Sequence, residues 1–305
     1  MPTHIAVVYG GSPWISNDDG ETWEETALPI RNYSGVSYDP FTATYWFAVY
    51  DTGYKGVYKS SDLINLVSVY TDFGVRRPIQ VAASNGKISV SCDAAGESAN
   101  NYYYSADNGA TFAVKSIGTT GATNGICYDG ASVICSGMND PPYDPPMPGS
   151  FFRGTIGDQL TVTNYRNGNT HGGIFVDNDM LWHAVSSEWL IHAPRSTSFF
   201  DVSIATATTK QVMCPAPSNN GILVTVYGDK ISRFDPVAKT FTDTNSQIKN
   251  WQQIVRVDTL KSLSLYVPRS GSWTKVNELH QGGASWRKDS ALYVPNGGAW
   301  KEVRG

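Results

Sequence analysis

The chain has 305 residues, a formal net charge of −4 and only 16% charged residues, together with 29 Gly, 17 Tyr and 9 Trp. A chain with no stripe of Lys and Arg lacks the means to displace counterions from phosphates, which argues against nucleic acid as a partner. Long amphipathic helical patterns are absent, and short aromatic and β-branched runs alternate with Gly turns, so the composition predicts an all-β protein.

Short strands are predicted from the first residues onward, about four in every 40 residues. The first group has three, over residues 4–9, 13–16 and 22–26. Apolar residues that start the last strand of each group recur 40 to 48 residues apart, at Trp23, Leu66, Phe112, Leu160, Phe200 and Phe241. Each group therefore corresponds to one four-stranded blade, and the count predicts a six-bladed β-propeller, with seven blades as the alternative.

The first group lacks one strand at the point where the ring must close. Residues 251–257, WQQIVRV, form a strand pattern at the far end of this region. Joining the two ends in one blade hides edges that would otherwise pair with other chains. We therefore expect residues 251–257 to pair beside the strand that begins the chain.

A short turn motif recurs at nearly constant spacing. The serines Ser16, Ser60 and Ser105 lie 44 and 45 residues apart. In SNDDGETW the aspartate can accept backbone hydrogen bonds, the glycine can take positive φ, and the tryptophan can be buried as the next strand starts. The motif residues are Ser16, Asp18, Gly20 and Trp23 in the first copy, Ser60 and Asp62 in a degenerate second copy, and Ser105, Asp107, Gly109 and Phe112 in the third.

These copies resemble the Asp-box (BNR) repeat, S-x-D-x-G-x-T-W, of sialidases and many other β-propellers. The resemblance implies boxes at the turn between the third and fourth strands of a blade, on the face opposite the ligand site. The box residues would then be architectural. A metal loop would need more carboxylates at alternate positions than Asp18 and Asp19 supply.

No metal or cofactor is predicted. The four cysteines, Cys92, Cys127, Cys135 and Cys214, lie in apolar strand patterns rather than at paired metal-ligand spacings. The opening residues lack a signal-peptide pattern, and no apolar run reaches 18 residues. We expect neither a signal peptide nor a membrane span, and we expect synthesis in a cytoplasm.

The last 44 residues follow a different pattern. LYVPRSGSWTKV, ELHQGGASWRKD and LYVPNGGAWKEV are three short strand–turn–strand copies, with Trp273, Trp286 and Trp300 spaced 13 and 14 residues apart. Residues 262–305 carry six Lys or Arg and three Asp or Glu, a net of +3. The chain is therefore divided into a propeller over 1–261 and a hairpin module over 262–305, which is too small to bury much by itself.

The hairpin copies are similar to terminal repeats of the form YV-x-x-x-G-x-W-K-x-V in bacteriophage tail and structural proteins. The resemblance implies a virion protein of the tail tip, fibre or baseplate. We expect the three tryptophans to dock on other virion proteins, with pairing between copies of this chain as a further possibility.

A ligand is expected on the face opposite the boxes, where the predicted loops are rich in Tyr, Asn, Arg and Gly. Aromatic faces beside amide and guanidinium groups suit a sugar, which has an apolar face and a rim of hydroxyls. The candidate ligand-binding residues are Tyr54, Arg76, Arg77, Asp140, Tyr143, Arg166, His171 and Trp189.

The sequence thus predicts a virion propeller that binds a glycan or protein of the host surface. An architectural decoration protein without a ligand is the first alternative. A sialidase-like glycoside hydrolase or depolymerase is the second: Arg76, Arg77 and Arg166 would be its carboxylate clamp. The Phe-Arg-Ile-Pro motif of sialidases is absent, so no catalytic residue is assigned.

Overall fold

The computed structural model describes residues 3–93, 101–117, 123–129, 132–137, 149–158, 160–166, 172–177, 180–185, 189–194, 203–204, 212–257, 265–269, 272–276, 292–296 and 299–303. Within these ranges the chain forms strands and turns without a helix. The predicted all-β class is confirmed. By contacts the chain divides into two compact units, residues 1–258 and 259–305, three residues before the predicted boundary.

The strands of the first unit are short and follow one another closely. In chain order they are β1 (His4–Gly11), β2 (Trp14–Ser16), β3 (Glu24–Glu25), β4 (Arg31–Asp39), β5 (Thr44–Val49), β6 (Gly56–Ser60), β7 (Val67–Tyr70), β8 (Pro78–Ser84), β9 (Lys87–Cys92), β10 (Asn101–Ser105), β11 (Ala113–Ser116) and β12 (Thr123–Asp129). They continue as β13 (Ser132–Gly137), β14 (Gly149–Thr155), β15 (Thr161–Arg166), β16 (Ile174–Asp177), β17 (Met180–Val185), β18 (Trp189–Pro194), β19 (Ser203–Ile204), β20 (Val212–Ser218), β21 (Gly221–Asp229), β22 (Ser232–Asp235), β23 (Thr240–Asp243) and β24 (Lys249–Arg256).

Consecutive strands pair antiparallel in sets of four. Five such sets are β4–β7, β8–β11, β12–β15, β16–β19 and β20–β23. The remaining set combines β1, β2 and β3 with β24 from the far end of the unit, because Ile5 pairs with Val255 and Val8 with Trp251. The predicted pairing of residues 251–257 with the first strand is confirmed.

The innermost strands of these sets form a closed cycle of neighbours. Among the described residues β24 lies beside β4, followed by β8, β12, β16 and β20, which returns to β24. Two glutamines bridge neighbouring inner strands: Gln253 Oε1 accepts a hydrogen bond from the Val36 amide at 2.8 Å, and Gln80 Oε1 from the Ile126 amide at 3.2 Å. These bonds join inner strands whose edges have no ladder partner on that side.

The core lies between neighbouring sheets rather than inside one set. Trp46 and Val57 of one set pack against Val81 and Ile88 of the next in a single buried cluster. Each sheet is covered on both faces, so apolar residues occupy both sides of its strands. Of the predicted apolar anchors, Leu160 is buried. Four others are partly exposed and pack against buried clusters: Trp23, Leu66, Phe112 and Phe241. Phe200 lies outside the described residues.

The ring has two distinct faces. The turn after β10 contacts the hairpin after β8, since the Asn108 amide donates to the Gly86 carbonyl at 2.8 Å. Turns that follow the first and third strands of a set therefore share one face, which we call the box face. The opposite face, where first strands begin and second strands end, is called the open face.

The second unit contains two hairpins of the same register: β25 (Leu265–Arg269) with β26 (Ser272–Val276), and β27 (Leu292–Asn296) with β28 (Ala299–Val303). Pro268 pairs with Trp273 in the first, and Pro295 with Trp300 in the second. Both are the hairpins expected from the repeated sequence. The middle copy, with Trp286, lies outside the described residues.

Candidate functional site

The two complete turn motifs on the box face have the same hydrogen bonds. In the first, Ser16 Oγ accepts from the Gly20 amide at 2.8 Å, and Asp18 accepts from the amide and hydroxyl of Thr22 at 2.9 and 2.6 Å. The third copy repeats these three bonds at 2.9, 2.9 and 2.6 Å, with Ser105, Asp107, Gly109 and Thr111 as the corresponding residues. Each serine and aspartate is thus engaged within its own turn.

The second copy is one residue shorter. Ser60 Oγ accepts from the amide of Leu63, three residues on rather than four, at 2.9 Å. Asp62 Oδ1 accepts from the amides of Ile64 and Asn65, and the Asn65 side chain takes the place of the threonine hydroxyl. The same serine–aspartate bond is kept, so the eroded sequence still makes the turn.

The aspartates stay ionised because they accept these bonds. The Thr111 hydroxyl and amide, followed by Ser105, lower the pKa of Asp107 to about 2. The Asn65 and Ile64 amides likewise lower the pKa of Asp62. Burial alone would raise the pKa of Asp18, but the bonds from Thr22 and Ser16 outweigh it and the pKa is lowered.

The box glycines also serve packing between sets. Gly109 has φ of 83°, and a Cβ there would come within 2.7 Å of Val69 Cγ1 and 2.8 Å of Trp46 Cη2 in the preceding set. A Cβ at Gly20 would likewise overlap Leu223. Only glycine combines this φ with this closeness. The partners of the box residues are protein groups, as an architectural role requires.

The open face carries two adjoining cavities. A peripheral one of about 480 Å³ is lined by Tyr9, Tyr50, Asp51, Thr52, Gly53, Lys55, Val75 and Arg77. A second, of about 200 Å³ and nearer the inner strands, is lined by Ser34, Tyr50, Arg77, Ile79, Gln80, Asp93, Met213 and Gln252. Tyr50 and Arg77 line both, so they form the shared wall of a single two-part cleft.

Arg77 is held in this wall by its neighbours. Its guanidinium lies 5.5 Å from the centre of the Tyr50 ring, and its Nε is 3.6 Å from Asp93 Oδ2. Asp93 Oδ1 accepts from the Arg77 amide at 2.9 Å, which fixes the start of β8. The Arg77 side chain is nevertheless 55% exposed, so its guanidinium faces the cleft. Tyr9 packs on Tyr50 with ring centres 5.7 Å apart.

Of the predicted ligand residues, the structure brings Arg77 into the cleft and Tyr54 to its edge. Tyr54 is exposed beneath Arg31, whose guanidinium lies 3.9 Å from the ring centre. Arg76 is only 5% exposed, and its charge acts on buried Cys92. The expectation that Arg76 faces a ligand is corrected, because a residue so buried does not line the open face.

The other predicted ligand residues are not placed by the structure. Asp140, Tyr143 and His171 lie outside the described residues, and so do the side chains of Arg166 and Trp189. Sequence reasoning missed Tyr9, Tyr50 and Asp93. A signal was present, since Tyr9 lies near the end of an apolar second strand, and Tyr50 and Asp93 directly follow such strands where these reach the open face.

No group of His, Cys, Asp and Glu within the described ranges is arranged to hold a metal ion. Nor does any helix there have the length and apolarity to cross a bilayer. The cysteines Cys92, Cys127, Cys135 and Cys214 are buried thiols outside any disulfide, and burial raises the pKa of Cys214 to about 12. These thiols are packing groups.

No protein-family model matches the chain. No curated protein sequence matches it either. Solved structures do: a chain of the nidogen/laminin complex has a TM-score of 0.68 at 11% identity, covering 84% of this chain and 98% of that one. YCF48 bound to D1 peptide has 0.49 at 12%, covering 83% and 77%, and the designed Ika8 protein has 0.49 at 9%, covering 82% and 73%. The nidogen likeness, at TM-score 0.68, and the closed cycle of inner strands define the fold of this chain as a β-propeller.

Proposed function

We propose that this chain is a glycan-recognition propeller of a bacteriophage particle, which binds the host surface through its open face. The two-part cleft sharing Tyr50 and Arg77 is the observation that carries the proposal. The tilted pair of Tyr9 and Tyr50 offers an apolar wall for a sugar ring, while Arg77, Asp93 and Gln252 offer charged and amide groups for its hydroxyls.

We further propose that the six sets of strands are six blades, and that the repeated turns are Asp boxes. The support is the closed cycle of six inner strands and the shared hydrogen bonds of the Ser16 and Ser105 turns. Boxes satisfied by their own turns leave the open face for recognition. The clustering of exposed Tyr and Arg groups in one cleft favours recognition over an architectural role without a ligand.

Binding is favoured over hydrolysis on this face. A glycosidase needs one carboxyl group that gives a proton and a second that acts on the sugar. Among the described residues, Asp51 and Asp93 are the carboxylates that line the cleft, and each accepts a bond from a backbone amide, of Asn32 and Arg77 respectively. They stabilise the starts of inner strands rather than standing free as an acid and a nucleophile.

The hairpin module is proposed to dock on other virion proteins. Two copies with one register place Trp273 and Trp300 at equivalent hairpin positions, as a repeated binding element requires. Interface tryptophans commonly contribute about 2 kcal/mol or more. Trp300→Ala, alone and with Trp286→Ala, is expected to abolish incorporation into particles. Normal copy number of a chain ending at Lys261 would refute docking.

The recognition proposal is tested with the purified full chain on intact host cells and on a glycan array. We expect saturable binding that falls about tenfold or more in Tyr50→Ala and in Arg77→Ala, since central contacts of this kind are worth over 1 kcal/mol. Their thermal midpoints should match the parent. Lys239→Gln, an exposed cation on the box face, is the matched control. Unchanged binding in both variants, or release of sugar from the array, would rule the proposal out.

A further inference from the structure

The open face carries the same surface patch twice, at two consecutive junctions between sets. At the first junction the end of β1 pairs with the start of β4, and at the second the end of β21 pairs with the start of β24. The corresponding residues are Tyr9, Gly10, Ile30, Arg31 and Asn32 in the first patch, and Tyr227, Gly228, Ile248, Lys249 and Asn250 in the second. We call these two groups the junction patches.

The two patches agree in backbone geometry. Tyr9 pairs with Asn32, and Tyr227 with Asn250. The glycine after each tyrosine has positive φ, 75° at Gly10 and 68° at Gly228. Each second strand therefore turns at the same point and crosses to the next inner strand, which presents its tyrosine at the same place.

They also agree in how the loop is fixed from below. In the first patch Tyr33 Oη donates to the Pro29 carbonyl at 2.8 Å. In the second, Trp251 Nε1 donates to the Gln247 carbonyl at 3.2 Å, again four residues back. A fully buried ring thus holds each loop, and Ile30 and Ile248 remain 66% exposed on top. Because both loops are fixed by the same kind of hydrogen bond, the exposure of Ile30 and Ile248 is a repeated feature of the two patches.

Each patch combines an exposed tyrosine with a cation. Tyr9 is 41% and Tyr227 47% exposed. Arg31 lies over Tyr54 at 3.9 Å, and Lys249 over Trp14 at 4.8 Å. Within the part of the chain that the structure describes, neither cation makes an ion pair.

Two carboxylates of the open face are hydrogen-bonded to the backbone. Asp51 and Asp229 accept bonds from the backbone amides of Asn32 and Lys230. Arg31 Nη1 also donates to the Ile30 carbonyl at 3.1 Å, and the remaining N–H groups of Arg31 together with the Lys249 ammonium supply the positive charge of the two patches. A ring with an apolar face and an anionic substituent satisfies the tyrosine and the cation together.

We propose that the ligand is a linear acidic glycan, whose repeated anionic sugar units occupy the two junction patches at once. This rests on the proposed glycan recognition and specifies its ligand. Equivalent patches call for equivalent groups, so a polymer with one repeated unit fits better than a single sugar. Tyr9 packs on Tyr50, which makes the first patch continuous with the cleft.

The test measures binding of the full chain to polygalacturonate, alginate and hyaluronate, with methyl-esterified polygalacturonate, dextran and polyglutamate as comparisons. At least one uronate polymer should bind tenfold or more tighter than the esterified form and polyglutamate, with affinity falling as salt rises. Affinity for its oligomers should increase with length until both patches are filled.

Variants assign this binding to the patches. Tyr9→Ala and Tyr227→Ala should each weaken it by a similar factor, about tenfold, and each should remove the gain with length. Arg31→Gln and Lys249→Gln should reduce its salt dependence, whereas Lys239→Gln on the box face should not. Thermal midpoints confirm that the variants are folded.

The outcomes separate this inference from the recognition proposal. Equal binding of acidic and esterified polymer, an effect of only one tyrosine, or polyglutamate binding as tightly as the uronates would each overturn the acidic-glycan inference alone. So would failure of every uronate polymer when host cells are still bound. Loss of both host-cell and glycan-array binding would overturn the recognition proposal as well.

Discussion

The box face and the open face of one ring use polar groups in opposite ways. On the box face, Ser16 and Asp18 are satisfied by backbone and side-chain groups of their own turn. On the open face, Arg77 and Arg31 lie on aromatic rings and remain turned to solvent. Substitutions on the box face should therefore change stability, and those on the open face should change binding.

A pair of glycines with nearly the same backbone angle gives the largest expected contrast. Gly109 on the box face has φ of 83° and close neighbours, whereas Gly53 on the open face has φ of 86° and nothing within 4 Å. Gly109→Ala should lower the free energy of unfolding by about 2 to 4 kcal/mol, from strain plus overpacking. Gly53→Ala should lower it by about 1 kcal/mol from strain alone. Equal losses in chemical denaturation would show that packing of Trp46 is not responsible.

The second-largest loss of stability is expected at the seam, the contact between the first and last sets around Arg233. Arg233 on β22 donates to Ser218 Oγ at 2.6 Å, to the Asp19 carbonyl at 2.8 Å and to Glu21 at 2.7 Å. It is largely buried, so Arg233→Ala should destabilise by about 1.5 to 3 kcal/mol. Arg77→Ala, the open-face counterpart, should stay within about 0.5 kcal/mol. Denaturant midpoints of the two variants decide the point.

Removing one box serine tests the turn itself. Ser105→Ala deletes the acceptor of the Gly109 amide and should reduce stability by about 1 to 2 kcal/mol. Ser60→Ala in the shortened turn should behave similarly, since its hydroxyl accepts from the Leu63 amide. Glycan binding should be unchanged in both. A loss of binding without a loss of stability would contradict the architectural reading of the boxes.

Lowering the pH should reduce the stability of the fold through protonation of His4, which lies at the contact between the first and last sets. Burial lowers the pKa of His4, against the bond from its ring to the Pro217 carbonyl and the charge of Asp19, with Arg256 and Arg233 adding to the lowering. The folded pKa lies below the unfolded value of about 6.5, so stability is full above that pH and falls as pH drops toward the folded pKa. His4→Gln should flatten the part of this curve that lies below about pH 6.5. An unchanged slope in thermal melts would assign the loss to other groups.

Local patterns were sufficient for the strands and the ring closure. The recurring apolar anchors predicted groups of four short strands, and the missing first-group strand predicted the partner of β1. The turn chemistry of Ser16 and Ser105 could be foreseen because its hydrogen bonds link residues at most four apart. Such contacts depend on spacing along the chain.

Tertiary structure decided the site. Adjacent Arg76 and Arg77 are indistinguishable by residue type, yet the turn that precedes β8 and the packing around it bury the first and expose the second. Tyr9 and Tyr50 meet only because successive sets are neighbours in the ring. The sequence by itself determined an all-β chain of repeated four-stranded units, because local periodicity encodes strands and turns. The open-face cleft and the junction patches arise from contacts between neighbouring sets of strands in the ring, which no local pattern specifies.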